Sequence, residues 1–169
     1  MKREQKIVAA GAATGILSML VGTWLLYQIL PVPDAPTAGD RIAYAARWLA
    51  LAAAPLFLMF VAVGNARFLS EAIDPTRGAE SQTMTINGRV ADNTTQQFLL
   101  FVAGSLALAA SVPQEHLKVV GAAAIVFVVA RIVFWIGYRI HPLYRAPGFS
   151  STAYLNLGLL LGTLYFTVG

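Results

Sequence analysis

Two polar stretches hold the residues whose types and spacing could do chemistry. The first is Arg131 to Phe149, reading RIVFWIGYRIHPLYRAPGF. It sets Arg131, Arg139, Arg145, Tyr138, Tyr144 and His141 between two apolar runs, with Pro142 and Pro147 ending any helix. On a helix Arg131, Phe134 and Tyr138 share one face. The second stretch, Arg67 to Gln97, carries Arg67, Arg89, Asn93 and Gln96. The last three fall at i, i+4 and i+7, again one helical face, although Asp92 or Asn93 could instead serve as an N-cap. Charge at a membrane edge is expensive and usually functional. Arginines offer fixed donors that grip a carboxylate or phosphate by two prongs. Asn and Gln read amides, and a Tyr hydroxyl donates to sulfur or oxygen. The residues therefore describe an anion receptor. Its ligand is either a water-soluble anionic peptide or the phosphates of inner-face lipids.

The rest of the chain must place that receptor in a membrane. The 169 residues are 57% hydrophobic and only 12% charged, about half the charge of an ordinary soluble domain. The formal net charge of +4 fits basic residues held at the cytoplasmic face. No basic patch interleaves with aromatics, which argues against nucleic acid. The sequence has no cysteine, which excludes disulfides, thiolate metal sites and a cysteine nucleophile. His116 and His141 lie far apart without metal-ligand spacing, so no metal site is expected; His116 reads as an ordinary exposed residue.

Five apolar runs are long enough to span a bilayer, which takes roughly 20 residues. Ile7 to Pro33 follows a basic start at Lys2, Arg3 and Lys6. It is too long for a usual signal-peptide core and is expected to be a retained helix. Its Gly11 and Gly15 form a G-x-x-x-G, permissive of close packing, though small residues simply abound here. After the turn-rich PVPDAPTAGD, Ala43 to Arg67 is the second span, with Pro55 inside it as a candidate kink. Leu69 to Gly88, with Pro75, Arg77 and Glu80, reads as the longest polar connection, either a solvated loop or a cover over a headgroup-level site. Arg89 to Val112, Val119 to Tyr138 and Phe149 to Val168 complete the set, and Gly158 and Gly162 give the last span a second G-x-x-x-G.

Five spans put the termini on opposite sides. With the N-terminus inside, Lys2, Arg3, Lys6, Arg67, Arg77, Arg89, Arg139 and Arg145 lie inside, while Arg41, Arg47 and Lys118 lie outside. That imbalance predicts a cytoplasmic N-terminus and an external C-terminus. It also puts both polar stretches on one side, where they can form one site.

Arg89, Asn93 and Gln96 as Arg-x-x-x-Asn-x-x-Gln resemble the Arg-x-x-x-Asn-x-x-Glu signature of the MAPEG family, the membrane-associated proteins in eicosanoid and glutathione metabolism. NARF places Arg67 near the arginine that ends the family's first helix. RIVFWIGY followed by YRAPGF is similar to its third-helix end and the loop into its fourth. The resemblance covers Ala43 to Gly169. It implies an all-α integral membrane helical bundle, with a four-helix core over 41–169 and an added helix and loop over 1–40. It further implies a homotrimer in membrane lipid that binds glutathione as co-substrate between subunits at the cytoplasmic face. Arg67, Arg89, Asn93, Gln96, Arg131 and Tyr138 would bind the tripeptide. Arg145 would be catalytic, stabilising the thiolate for attack on a lipophilic electrophile or hydroperoxide.

The chain departs from the family pattern at three places. Gln96 replaces the acidic residue, Gln97 an aromatic hydroxyl, and Phe134 a tyrosine. Three readings follow: a glutathione-dependent transferase or peroxidase, a non-catalytic relative binding lipid or another amphipathic anion, and a transporter or channel component. The absence of a targeting address suggests a bacterial inner membrane.

Overall fold

A computed structural model describes residues 2–74, 76 and 78–168. Pro75 and Arg77, named above, lie outside the described residues. The described residues form five long helices: α1 (Arg3–Ile29), α2 (Ala38–Phe68), α3 (Gln82–Ser111), α4 (Lys118–Ile140) and α5 (Ala146–Val168). Each is long and apolar enough to cross a membrane. The chain is thus an all-α, multi-pass membrane bundle.

Local chemistry sets the helix ends. The backbone N–H of Lys2 donates to Gln5 Oε1 at 2.9 Å and opens α1, and Pro31 follows its end because the residue before a proline avoids helical dihedrals. Thr37 opens α2 through a reciprocal capping box with Asp40. The Ser81 hydroxyl accepts from the N–H of Met84 and opens α3. Pro113 follows the end of α3, and Pro142 follows that of α4. Pro147, expected from sequence to interrupt helix before a span starting at Phe149, instead sits in the first turn of α5, which begins at Ala146, because there its missing N–H costs nothing.

Two expectations are corrected here. The connection after α2 is shorter than Leu69 to Gly88, because α3 starts at Gln82 rather than Arg89. The Ser81 cap lets a polar segment continue the helix beyond its apolar part. Asp92 and Asn93 are therefore interior, and neither is an N-cap. The first G-x-x-x-G is also more than small-residue abundance. A Cβ on Gly15 would stand 2.2 Å from the carbonyl oxygen of Pro147, and one on Gly11 would stand 3.1 Å from Ala146 Cβ. Only hydrogen at Gly15, with a close fit at Gly11, allows α1 to lie directly on the start of α5, where Ser151 Oγ donates to the Gly15 carbonyl at 2.8 Å.

The core lies among α3, α4 and α5, where Phe101 stacks on Phe127 with ring centres 4.5 Å apart. Large apolar side chains such as Leu17, Trp24, Phe57, Leu99, Ile136 and Leu161 are exposed, as a lipid-facing surface requires. The starts of α1, α3 and α5 and the ends of α2 and α4 gather at one end of the bundle, which carries both polar stretches.

Candidate functional site

At that end α3, α4 and the turn before α5 enclose a cleft of about 200 Å³. Its walls are Arg89, Asn93, Phe134, Tyr138, Arg145 and Phe149. The 3₁₀ turn Pro142–Arg145 carries Arg145 and is docked tightly on α4. A Cβ on Gly137 would stand 2.3 Å from the Tyr144 carbonyl oxygen. His141 holds the turn from its start, its Nδ1 accepting from the N–H of Leu143 at 3.2 Å. Arg145 Nη1 donates to the Tyr138 hydroxyl oxygen at 3.1 Å, and its guanidinium lies over the Tyr138 ring, 5.0 Å from the centre. That acceptor role leaves the Tyr138 O–H proton free to donate into the cleft.

Arg131 braces the site from beneath and is fully buried. Its Nη1 donates to Asn93 Oδ1 at 3.0 Å. Its Nη2 donates to the Gly148 carbonyl at 3.0 Å and to Thr152 Oγ1 at 2.6 Å. The guanidinium also lies 4.4 Å from the centre of the Phe134 ring. One side chain thereby ties α3, α4 and α5 together. With its carbonyl held by Arg131, Asn93 keeps its NH2 group as a donor.

Arg89, Asn93, Tyr138 and Arg145 are thus brought together, and Arg131 supports them. Arg67 and Gln96 are not in the cleft. Arg67 pairs with Glu80 beside a separate recess of about 440 Å³, which Arg89 and Asp92 also line. Gln96 is exposed on the outer surface of α3. Gln97 is buried, and its Oε1 accepts from Asn156 Nδ2 at 2.9 Å, so it serves as a brace between α3 and α5. Sequence reasoning missed Thr152 and Asn156. The available signal was the run Gly148, Thr152, Asn156 at successive intervals of four, which marks one face of an otherwise apolar helix. It also missed Asn87, whose Oδ1 accepts from Trp135 Nε1 at 2.9 Å.

The sequence profile of the MAPEG family matches residues 45–165. Transmembrane protein 79 of Mus musculus is 25% identical over 142 residues, 83% of this chain and 36% of that protein. Transmembrane protein 79 of Bos taurus is 24% identical over 162 residues, 95% of this chain and 40% of that protein. The chain spans about two fifths of the length of these curated relatives. No solved structure matches it significantly. The family match runs from early α2 to late α5, takes in every residue of the cleft and leaves α1 outside. On that match, with four membrane-crossing helices beneath it, the chain belongs to the MAPEG family.

Proposed function

We propose that this protein is a membrane-embedded, glutathione-dependent transferase or peroxidase acting on lipophilic electrophiles or hydroperoxides. The observation that carries the reading is Arg145 poised on Tyr138 in the wall of the cleft that Arg89 and Asn93 share. Two guanidiniums, a phenol and a side-chain NH2 suit the carboxylates, amides and thiol of glutathione. The fit is partial in one respect. About 200 Å³ is less than a small-molecule site usually needs, about 300–1,000 Å³. One chain therefore holds only part of the tripeptide, and a neighbouring copy in a homotrimer supplies the rest, with its Arg67 and Gln96 as candidate contacts. The site faces the cytoplasm of a bacterial inner membrane in this reading, with the second substrate arriving from lipid.

The chemistry rests on the thiol. A free thiol has a pKa near 8.5 and is mostly protonated at neutral pH. A close guanidinium lowers such a pKa by roughly 1–3 units. Arg145 would supply that charge, and the Tyr138 hydroxyl a hydrogen bond to the sulfur. The thiolate then forms a carbon–sulfur bond with an electrophile, either by displacing a leaving group that departs as its anion or by adding across an activated double bond whose other end takes up a proton. With a hydroperoxide it takes the terminal oxygen and releases an alcohol, and a second glutathione completes the disulfide with loss of water.

A second reading, a non-catalytic family relative that binds an amphipathic anion, is favoured by one specific feature. No carboxylate lines the cleft, so the amino group of glutathione has no ion-pair partner there. Calorimetry of glutathione on the detergent-purified protein, with thiolate absorbance read in the same samples, separates the two. The first reading expects binding that Arg89→Ala removes, and a thiolate signal and turnover that Arg145→Ala removes with the assembly intact. No binding at millimolar glutathione sinks that reading and leaves the second.

A further inference from the structure

A second cavity lies toward the opposite end of the bundle from the Arg145 cleft. It is a trough of about 500 Å³ between α1, α3, α4 and α5. Trp24 and Tyr27 of α1, Leu108 of α3, Ala123 of α4, and Gly158 and Phe166 of α5 are in its wall. Trp24 and Gly158 are exposed, so the trough opens on the flank of the bundle. That flank is apolar and lipid-facing, with Leu20, Leu157 and Leu161 also exposed.

Three features point to a ligand with a chain and a head. The volume falls within the usual range of small-molecule sites, and the wall is mostly apolar, with Thr23 and Tyr154 as polar members along its length. Gly158, the first residue of the second G-x-x-x-G, makes room, because a Cβ there would meet nothing within 4 Å. Hydrogen-bonded and charged groups cluster at the far end. There the Tyr27 hydroxyl and His116 Nδ1 are 2.7 Å apart, and the Lys118 ammonium lies 4.5 Å from the centre of the Tyr27 ring. His116, expected to be an ordinary surface residue, is thus part of this wall; Lys118 stands beside it through its contact with the Tyr27 ring, and the exposed Glu115 makes no such contact with a wall residue. The α1 side of the trough comes from the helix that lies outside the family match.

We propose that this trough binds a single-chain fatty carboxylate drawn from the bilayer. Its chain lies over Gly158 between α1 and α5, and its carboxylate sits at the rim formed by Tyr27, His116 and Lys118. An ammonium, together with the one proton that the paired Tyr27 and His116 leave free to donate, recognises a carboxylate where an apolar trough alone does not. The site is independent of glutathione and of the Arg145 cleft.

The test uses the full-length protein in detergent and brominated palmitate, which quenches Trp24 when bound. The quenching attributed to the site is the part that Trp24→Phe removes. The expected result is saturable quenching, competed by unlabelled palmitate and weaker for its methyl ester. Gly158→Leu, whose Cβ meets nothing within 4 Å, puts its side chain into the trough and should weaken binding by about tenfold or more, the loss of roughly two buried methylenes. Lys118→Ala should bring acid and ester to equal affinity. Absent or unsaturable quenching, or quenching unchanged in Gly158→Leu, overturns the site. Equal binding of acid and ester by the wild-type protein overturns the carboxylate and marks a neutral lipid chain instead.

Discussion

Arg131 is the residue on which the polar end depends. It is buried, has no carboxylate partner among the described residues, and its three bonds reach Asn93, Gly148 and Thr152 on two other helices. A planar fork makes those bonds together, and a lysine ammonium on a flexible stem does not. Arg131→Lys should therefore lower stability by about 2 kcal/mol or more, since hydrogen bonds from charged groups are individually worth about 1.5–3 kcal/mol. Thermal melting in detergent reads this, and an unchanged midpoint would show that the network carries little stability. Gln96 poses the opposite test, because it is exposed and outside the cleft of its own chain. If a neighbouring copy brings it to the glutathione amino group, Gln96→Glu should tighten binding up to roughly fivefold, the upper worth of an exposed ion pair. Equal or weaker binding by calorimetry would remove Gln96 from the site. The residues that gather at the cleft were legible because spacing on a helix fixes a face: Arg89 with Asn93, and Arg131 with Phe134 and Tyr138. Arg67 was not, since its pairing with Glu80 depends on how a connecting segment folds back, and no helical period encodes that.

Among the elements, α1 is an addition to the family core that bears directly on the candidate site. Its Gly11 and Gly15 lie against Ala146 and Pro147, the residues that follow Arg145 in the chain. Together with the Gly137 contact on α4, this clamps the turn that aims Arg145. Gly15→Leu should push α1 off α5 and cost about 1–3 kcal/mol, the usual penalty of overpacking. Gly64→Leu on α2 serves as the control, since a Cβ there meets nothing within 4 Å. Equal melting of the two variants would count against the clamp. The five spans themselves were legible because long charge-free runs have few folded alternatives. The start of α3 was not, because Gln82 to Gly88 is largely polar, and what holds it as helix is the Ser81 cap together with the Asn87–Trp135 bond to α4, which no local pattern encodes. Nor was the use of each glycine pair. Gly11–Gly15 and Gly158–Gly162 read alike, yet Gly15 meets backbone and Gly158 meets open space. The difference lies in what stands opposite, which one helix's own sequence does not contain.

At the scale of the whole molecule, the alternation of five spans divides the described basic residues unevenly. Lys2, Arg3, Lys6, Arg67, Arg89, Arg139 and Arg145 lie at the end that bears the cleft, and Arg41, Arg47 and Lys118 at the other. Some of these cations are committed to structure, as with Arg41, whose Nη1 donates to the Val112 carbonyl at 2.8 Å and satisfies the end of α3. The larger group is mostly exposed and free to act on orientation, because cytoplasmic segments retain lysine and arginine. The cleft end should therefore face the cytoplasm, where glutathione is plentiful enough to serve as a co-substrate. The sequence contains no cysteine, so single-cysteine variants report position without background. Lys2→Cys and Tyr144→Cys should react with an impermeant maleimide only from the cytoplasmic face of sealed membrane vesicles. Glu115→Cys and Thr167→Cys should react only from the opposite face. Labelling of Lys2→Cys and Glu115→Cys from one face would break the five-span topology itself. A clean reversal of both pairs would keep the fold and turn the cleft outward, removing the cytoplasmic glutathione pool from reach and with it the main support for the transferase reading.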